Sequence, residues 1–346
     1  MATAALPFVT RRPEGRRRPL SLVVIVPVYN ENGTLPAFHG LLAKALTQVR
    51  ADVAVVYVDD GSNDGTAERL DELMAEDRRV SVIRLSRNFG QQAALTAGID
   101  SVDGDAVIMM DGDGEHPPSL IPAMVEAYRA GHDVVLTRRY RDRRASRLKR
   151  WSASLFFRVI NWISPIHIEP EAADFRLLSR RALGSLRAMR ERHRFLRGMV
   201  AWSGFEPIVL PYEQGDRLGG ISKWSVRRLT GLALDAIFSF SLRPLLLPYL
   251  VGGAFIVVAA VAAAIAAALA GAAPVPALGL ALGSLVLGTG GVLAGLIGIL
   301  GSYLGRVSDE VRQRPLYVIQ SIYPQGRLPG SAVRSGRVAR GKATRG

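Results

Sequence analysis

The sequence predicts a Rossmann-like α/β domain with a mostly parallel sheet, followed by a two-helix transmembrane hairpin. Three observations carry that expectation. Short β-branched runs alternate with helical stretches from residue 20 to residue 137. That alternation belongs to a three-layer sheet, whose ligands gather at the carboxyl ends of the strands. Three of the apolar runs lead at once into loops rich in Asp, Asn, Glu and Gly. Between Arg243 and Arg306 lie 62 residues without a single charge.

Leu20–Val28 (LSLVVIVPV) reads as a buried strand, not a signal peptide, because its β-branched run follows an Arg-rich arm and ends directly in Tyr-Asn-Glu-Asn-Gly. Val53–Val58 is a second strand, and a polar loop joins it to a helix over Thr66–Glu76. Val80–Leu85 is a third strand and Gln91–Val102 a helix. Ala106–Met110 is a fourth strand, Ser119–Ala130 a helix and Val134–Thr137 a fifth strand. The strand ends carry PVYNENG (Pro27–Gly33), DDGSNDGT (Asp59–Thr66) and DGDGEHPP (Asp111–Pro118). Neither GxGxxG nor GxxxxGK[ST] stands between a strand and a helix, so nicotinamide dinucleotide and P-loop nucleotide binding lose support.

The uncharged run is too long for one membrane helix of roughly 20 residues and fits two. Pro274 and Pro276, within Gly271–Ala277, suit the turn between spans near 246–270 and 278–304. The second span is rich in Gly and Ser, which favours close helix packing in lipid. Arg227, Arg228 and Arg243 precede the pair, Arg306, Arg312 and Arg314 follow it, and the connection is uncharged. The positive-inside rule therefore puts both termini and the α/β domain in the cytoplasm. Residues 225–243 read as interfacial amphipathic helices. The expected division is a basic arm at 1–19, a catalytic domain at 20–224, these helices at 225–243, two spans within 244–305 and a basic cytoplasmic tail at 306–346.

Lys and Arg number 44 against 30 Asp and Glu, a net charge of +14. The excess is concentrated in residues 1–20, 137–150 and 306–346. Such tracts suit a polyanionic surface, either nucleic acid or an anionic leaflet. The uncharged run favours the membrane, and the basic tracts hold few aromatics for base stacking, so no nucleic acid partner is expected. The chain has no Cys, which excludes disulfides, a cysteine nucleophile and thiolate-bound metal.

Asp111, Asp113 and Glu115 fall within five residues and can converge on one hard cation, Mg2+ or Mn2+; the alternative is an acidic Gly-rich turn. A cation there would offset charge on a leaving diphosphate. His116, beside Pro117, reads as structural. After the second strand, Asp59 or Asp60 can accept from a base N–H or a ribose hydroxyl. Asn63 or Asp64 would cap the following helix and Gly65 bend into it.

The segments VVIVPVYNENGTL, DDGSNDGT, SRNFGQQAAL and DGDGEHPP resemble glycosyltransferase family 2 with its GT-A nucleotide-sugar fold. Further on, DFRLLSRRAL, RHRFLRGMVAWSGF, RLGGISKW, IFSFSLRPL and EVRQRPLYVI resemble the polyprenyl-phosphate branch of that family, which includes dolichyl-phosphate mannose synthases and bactoprenol glucosyltransferases. The resemblance spans about residues 20–320. It implies inverting, metal-dependent transfer of a sugar from a nucleotide-sugar donor to a polyprenyl (undecaprenyl) phosphate at the bacterial inner membrane. UDP-glucose is the favoured donor, with UDP-N-acetylhexosamine, a uronic acid donor and GDP-mannose left open. It also implies roles. Pro27, Tyr29 and Glu31 would flank the nucleotide, Asp59 with Asp60 would serve the base, and Asp111 would lie near the ribose. Asp113 would be the main metal ligand and Glu115 a second, at a position where relatives often carry Gln. Arg217, Ser222 and Lys223 would close over the phosphates. Arg139, in Arg138-Arg139-Tyr140, would meet the acceptor phosphate, and Asp174 and Arg176 would line the acceptor side. A processive polysaccharide synthase is the nearest rival, but its QxxRW is missing from HRFLRGMVAW. A non-catalytic membrane scaffold is the rival from another class. Self-association through the Gly-rich spans or the tail is a further expectation.

Overall fold

The computed structural model describes residues 19–139, 172–192, 194–213, 251–254, 257, 258, 261 and 275–324. Outside these lie most of the basic arm, the 140–150 cluster, the Arg217–Lys223 loop, the 225–243 segment and most of the first expected span.

An eight-stranded sheet forms the centre, in the order β7-β5-β6-β4-β1-β2-β3-β8. Its strands are β1 (Ser21–Val28), β2 (Asp52–Asp59), β3 (Val80–Leu85), β4 (Ala106–Met109), β5 (Val134–Arg139), β6 (Ala172–Ser179), β7 (Pro207–Tyr212) and β8 (Ile319–Tyr323). β4, β1, β2 and β3 pair in parallel, as do β5 and β7; β6 and β8 run against their neighbours. The central strands are continuous apolar runs because both their faces are covered. Leu22, Val24, Val26 and Tyr57 face one helical layer with α1 (Leu35–Leu46), α2 (Thr66–Glu76) and α4 (Ile121–Arg129). Val23, Ile25, Val56 and Val58 face the other, with α3 (Gln91–Ser101), α5 (Arg180–Ala188) and α6 (Leu196–Trp202).

The expected strand–helix alternation is present, and α2 and β3 begin and end where the sequence placed them. α1 is an addition to that reading. Pro118–Leu120 forms a 3-10 turn before α4, so the helix starts two residues later than expected.

Among the described residues, one helix is long and apolar enough to cross a membrane. This α7 runs over Val275–Arg312, 38 residues, or about 57 Å at 1.5 Å per residue. It contains the whole second expected span, carries Pro276 in its first turn, and exposes Leu293, Ile297, Leu300 and Leu304. Residues 251–254, 257, 258 and 261 are helical as well, with Val257, Val258 and Val261 exposed. Residues 313–324 of the segment assigned to a tail are described beyond α7. Val82–Leu85 of β3 pairs with β8, which places residues 319–323 in the catalytic sheet.

Candidate active site

The loops after β1 and β2 are stitched to each other. Asn30, at φ 54°, donates its N–H to Ser62 Oγ at 3.0 Å and accepts from the Asn63 N–H at 2.9 Å. The Glu31 N–H donates to Thr66 Oγ1 at 2.9 Å, and the Glu31 carboxylate accepts from the Thr34 hydroxyl at 2.6 Å. Asp64 accepts from both the N–H and the hydroxyl of Thr66, which opens α2, while Gly65 bends at φ 89°. This is the expected structural role of Asp64. Pro27 lies in β1 opposite Val58, and Tyr29 follows directly at the strand end.

Asp59 and Asp60 sit at the end of β2, each 3% exposed. Asp59 Oδ1 accepts from the Ser62 N–H at 2.9 Å. Asp60 spends both oxygens on backbone, accepting from the N–H groups of Phe89 (2.7 Å) and Gly90 (2.8 Å). Burial raises its pKa, and those amides pull against the rise. Asp60 thus fixes the β3–α3 loop. Gly61 between them needs φ +69°, and a Cβ there would fall 2.5 Å from the Arg87 carbonyl carbon.

β4 delivers DGDGEHPP to the same edge. Asp111 Oδ1 accepts from Gln91 Nε2 at 2.5 Å, and the Asp111 N–H donates to His116 Nδ1 at 3.0 Å. That second bond requires an unprotonated Nδ1. Burial agrees with it and lowers the His116 pKa to about 4. The ring stacks on Phe175 at 5.4 Å and meets Tyr212 edge-on at 6.2 Å. His116 is therefore a neutral prop that folds the loop back, the structural role its neighbour Pro117 suggested. Asp113 Oδ1 accepts from the Glu115 N–H at 3.0 Å, and Glu115 Oε2 pairs with Arg139 at 3.1 Å.

The opposite wall comes from β6 and α6. Antiparallel pairing sets Arg176 against Met109, so Arg176 and Asp174 arrive beside the end of β4. Asp174 is gripped by the buried Arg176 and by Arg197, whose Nε and NH2 lie 3.0 and 3.1 Å from its two oxygens. Burial pushes the Asp174 pKa up, but Arg197 and Arg176 outweigh it and hold the carboxyl well below the usual range. Asp111 goes the other way. Burial, with the charges of Asp174 and Asp113, draws it up to about 7.

The edge therefore joins Pro27, Tyr29, Glu31, Asp59, Asp60, Asp111, Asp113 and Glu115 at neighbouring strand ends, with Asp174, Arg176 and Arg139 alongside. Arg217, Ser222 and Lys223 lie outside the described residues. Gln91 and Arg197 had been given no role. Both lie in segments that carried the family resemblance, and only their contacts single them out. Asp111 and Asp113 have the oxygen donors a hard divalent cation takes, and burial, then the charges of Asp174 and Asp113, raises the Asp111 pKa. No group of three ligand side chains forms among the described residues. Mg2+ commonly takes one or two carboxylates and completes its shell with substrate phosphate and water. Glu115 stands in an ion pair with Arg139 through Oε2.

Residues 23–187 match the family described as Glycosyl transferase family 2. An uncharacterized glycosyltransferase of Synechocystis sp. is 34% identical over 90% of this chain and 98% of its own length. A bactoprenol glucosyl transferase of Shigella phage SfII is 36% identical, over 87% of this chain and 98% of its own. The putative glycosyltransferase CsbB of Bacillus subtilis is 35% identical, over 86% and 90%. With a mixed Rossmann-like sheet of the GT-A type and these relatives over nearly its whole length, the chain belongs to glycosyl transferase family 2 and is a glycosyltransferase.

Proposed function

We propose that this enzyme transfers a sugar from a nucleotide-sugar donor, UDP-glucose in first place, to undecaprenyl phosphate at the cytoplasmic face of a bacterial cell membrane. The observation that carries the reading is the return of the chain from α7 into the catalytic sheet. Because β8 pairs with β3, the polypeptide between Tyr212 and Ile319 crosses any bilayer an even number of times. If α7 is one crossing, a second must precede Val275, and the uncharged stretch before Gly271 supplies it. The active-site edge and the lipid then share one side of the membrane. The named activity of the Shigella phage relative supports the same acceptor.

The chemistry needs little from the protein beyond placement. A phosphate monoester is already anionic near neutral pH, so it attacks the anomeric carbon without a general base. The new C–O bond forms as the bond to the diphosphate breaks on the opposite face, with inversion, and the nucleoside diphosphate leaves. Asp113 with Asp111 would hold Mg2+ or Mn2+, which neutralises charge on the diphosphate when bound. Asp59 and Glu31, held in the linked loops after β2 and β1, would flank the nucleoside. Arg197 and Arg176, turned inward on Asp174, supply positive charge on the acceptor side. Arg217, Ser222 and Lys223 would clamp the phosphates, and Arg139 becomes available to the acceptor once Glu115 releases it.

The test is transfer from radiolabelled UDP- and GDP-sugars to undecaprenyl phosphate in detergent, with Mg2+, Mn2+ or EDTA. One donor is expected to yield lipid product, EDTA to abolish it, and Asp113→Asn to lower the rate by about 100-fold or more, the scale of a lost charge stabiliser. A neutral isoprenol that accepts as well as its phosphate would refute the mechanism.

A further inference from the structure

Among the described residues, the α5–α6 loop at residues 189–195 ties the charged end of α7 to the elements of the active site. Two arginines of this loop reach α3 and a third reaches α7. Arg190 pairs with Asp100 near the end of α3 at 2.8 Å. Arg192 donates its backbone N–H to Glu310 of α7 at 2.7 Å and its NH1 to the Arg314 carbonyl at 2.7 Å. Arg194 reaches Thr96 within α3 at 3.4 Å. Immediately after the loop, the Leu196 N–H donates to Gln92 Oε1 at 3.2 Å, and Arg197 grips Asp174. The chain beyond α7 returns to the same helix, where the Tyr317 hydroxyl donates to Asp100 at 3.0 Å. Its other end holds Gln91 against Asp111.

The contacts of Arg190, Arg192 and Gln91 are exposed, and such contacts add little stability each, whereas those of Arg194, Leu196, Arg197 and Tyr317 are partly or fully buried. Together they set an orientation. The helical stretch from Arg306 to Glu310 forms a spacer of about 6 Å between the apolar part of α7 and the grip of Arg192.

We infer that Arg192, Glu310 and Tyr317 are positioning residues. They form a brace that fixes the height and tilt of the Asp174–Arg197 wall above the bilayer, so that a membrane-embedded acceptor phosphate meets the donor in line. The inference rests on the lipid acceptor proposed above. It predicts a dependence on the acceptor's anchorage, since a short soluble phosphate can diffuse into the site from water.

The experiment compares wild type with Glu310→Ala, Tyr317→Phe and their combination in phosphatidylethanolamine–phosphatidylglycerol vesicles. The acceptors are undecaprenyl phosphate and the water-soluble geranyl phosphate. With undecaprenyl phosphate the double variant is expected to lose about tenfold in kcat/KM, mostly as a higher KM, as small misplacements do. With geranyl phosphate it is expected to match wild type, and nucleotide affinity is expected not to move. Glu310→Gln, which keeps an acceptor oxygen, is expected to behave as wild type. Equal loss with both acceptors, or loss with neither, overturns the brace while the acceptor reading stands. A wild-type enzyme inert toward both phosphates overturns the acceptor reading, and the brace with it.

Discussion

Asp174 shows what a residue's partners add to a family resemblance. The resemblance of DFRLL implied an acceptor-side carboxylate. Its neighbours make it first an ionic anchor, shared by Arg197 and an Arg176 that is 2% exposed. Asp174→Ala removes the partner of two guanidinium groups and should cost about 3–5 kcal/mol of stability. Arg139→Ala breaks a half-exposed pair with Glu115 and should cost under about 1 kcal/mol. Thermal unfolding of both variants checks this; similar shifts in midpoint would contradict the burial argument. Gln91 and Arg197 were invisible as individuals because their side chains matter through partners 20 and 23 residues away in sequence. No local pattern announces such a partnership.

At the scale of elements, α3 links core packing to the site. Its Gly98 lies so close to β1 that an added Cβ would sit 2.5 Å from Ile25 Cγ2, with Val58 at 3.3 Å. Gly98→Ala should therefore push α3 outward at about 1–3 kcal/mol. Since the first turn of α3 holds Asp111 through Gln91, donor affinity should fall along with the unfolding midpoint. Calorimetric titration of the nucleotide against the variant tests the link, and unchanged affinity at reduced stability would break it. The elements read correctly are the continuous apolar runs of β1 to β4, the start of β5, and the helices α2, α3 and α4. β6 carries Asp174 and Arg176 in an otherwise apolar core strand, so its pattern is broken. β7 contains Pro211 at an edge, and β8 alternates polar residues on the other edge. Edge strands keep one side open, and their sequences resemble loops for that reason.

For the whole molecule, the return of β8 to the sheet turns a hydropathy argument into a topological one. The chain lacks Cys, so single introduced cysteines report without background. Ala273→Cys is expected to react with a membrane-impermeant maleimide added to intact spheroplasts. Lys44→Cys, exposed on α1, is expected to react only after lysis. Reaction of both from the same side would exclude the hairpin.

The amino-acid sequence alone determined the α/β alternation, the three acidic and polar strand-end loops and the uncharged 62-residue run. Each of these is a local property of composition or period. Tertiary structure decided what no local property encodes. It paired Asp174 with Arg176 and Arg197, turned Asp60 into a support of the β3–α3 loop, and engaged Glu115 with Arg139. It also returned a segment that reads as a tail to the edge of the catalytic sheet. The physical reason is the same in every case. Burial and pairing set the state of a charged group, and its partners come from segments that only the folded sheet brings together.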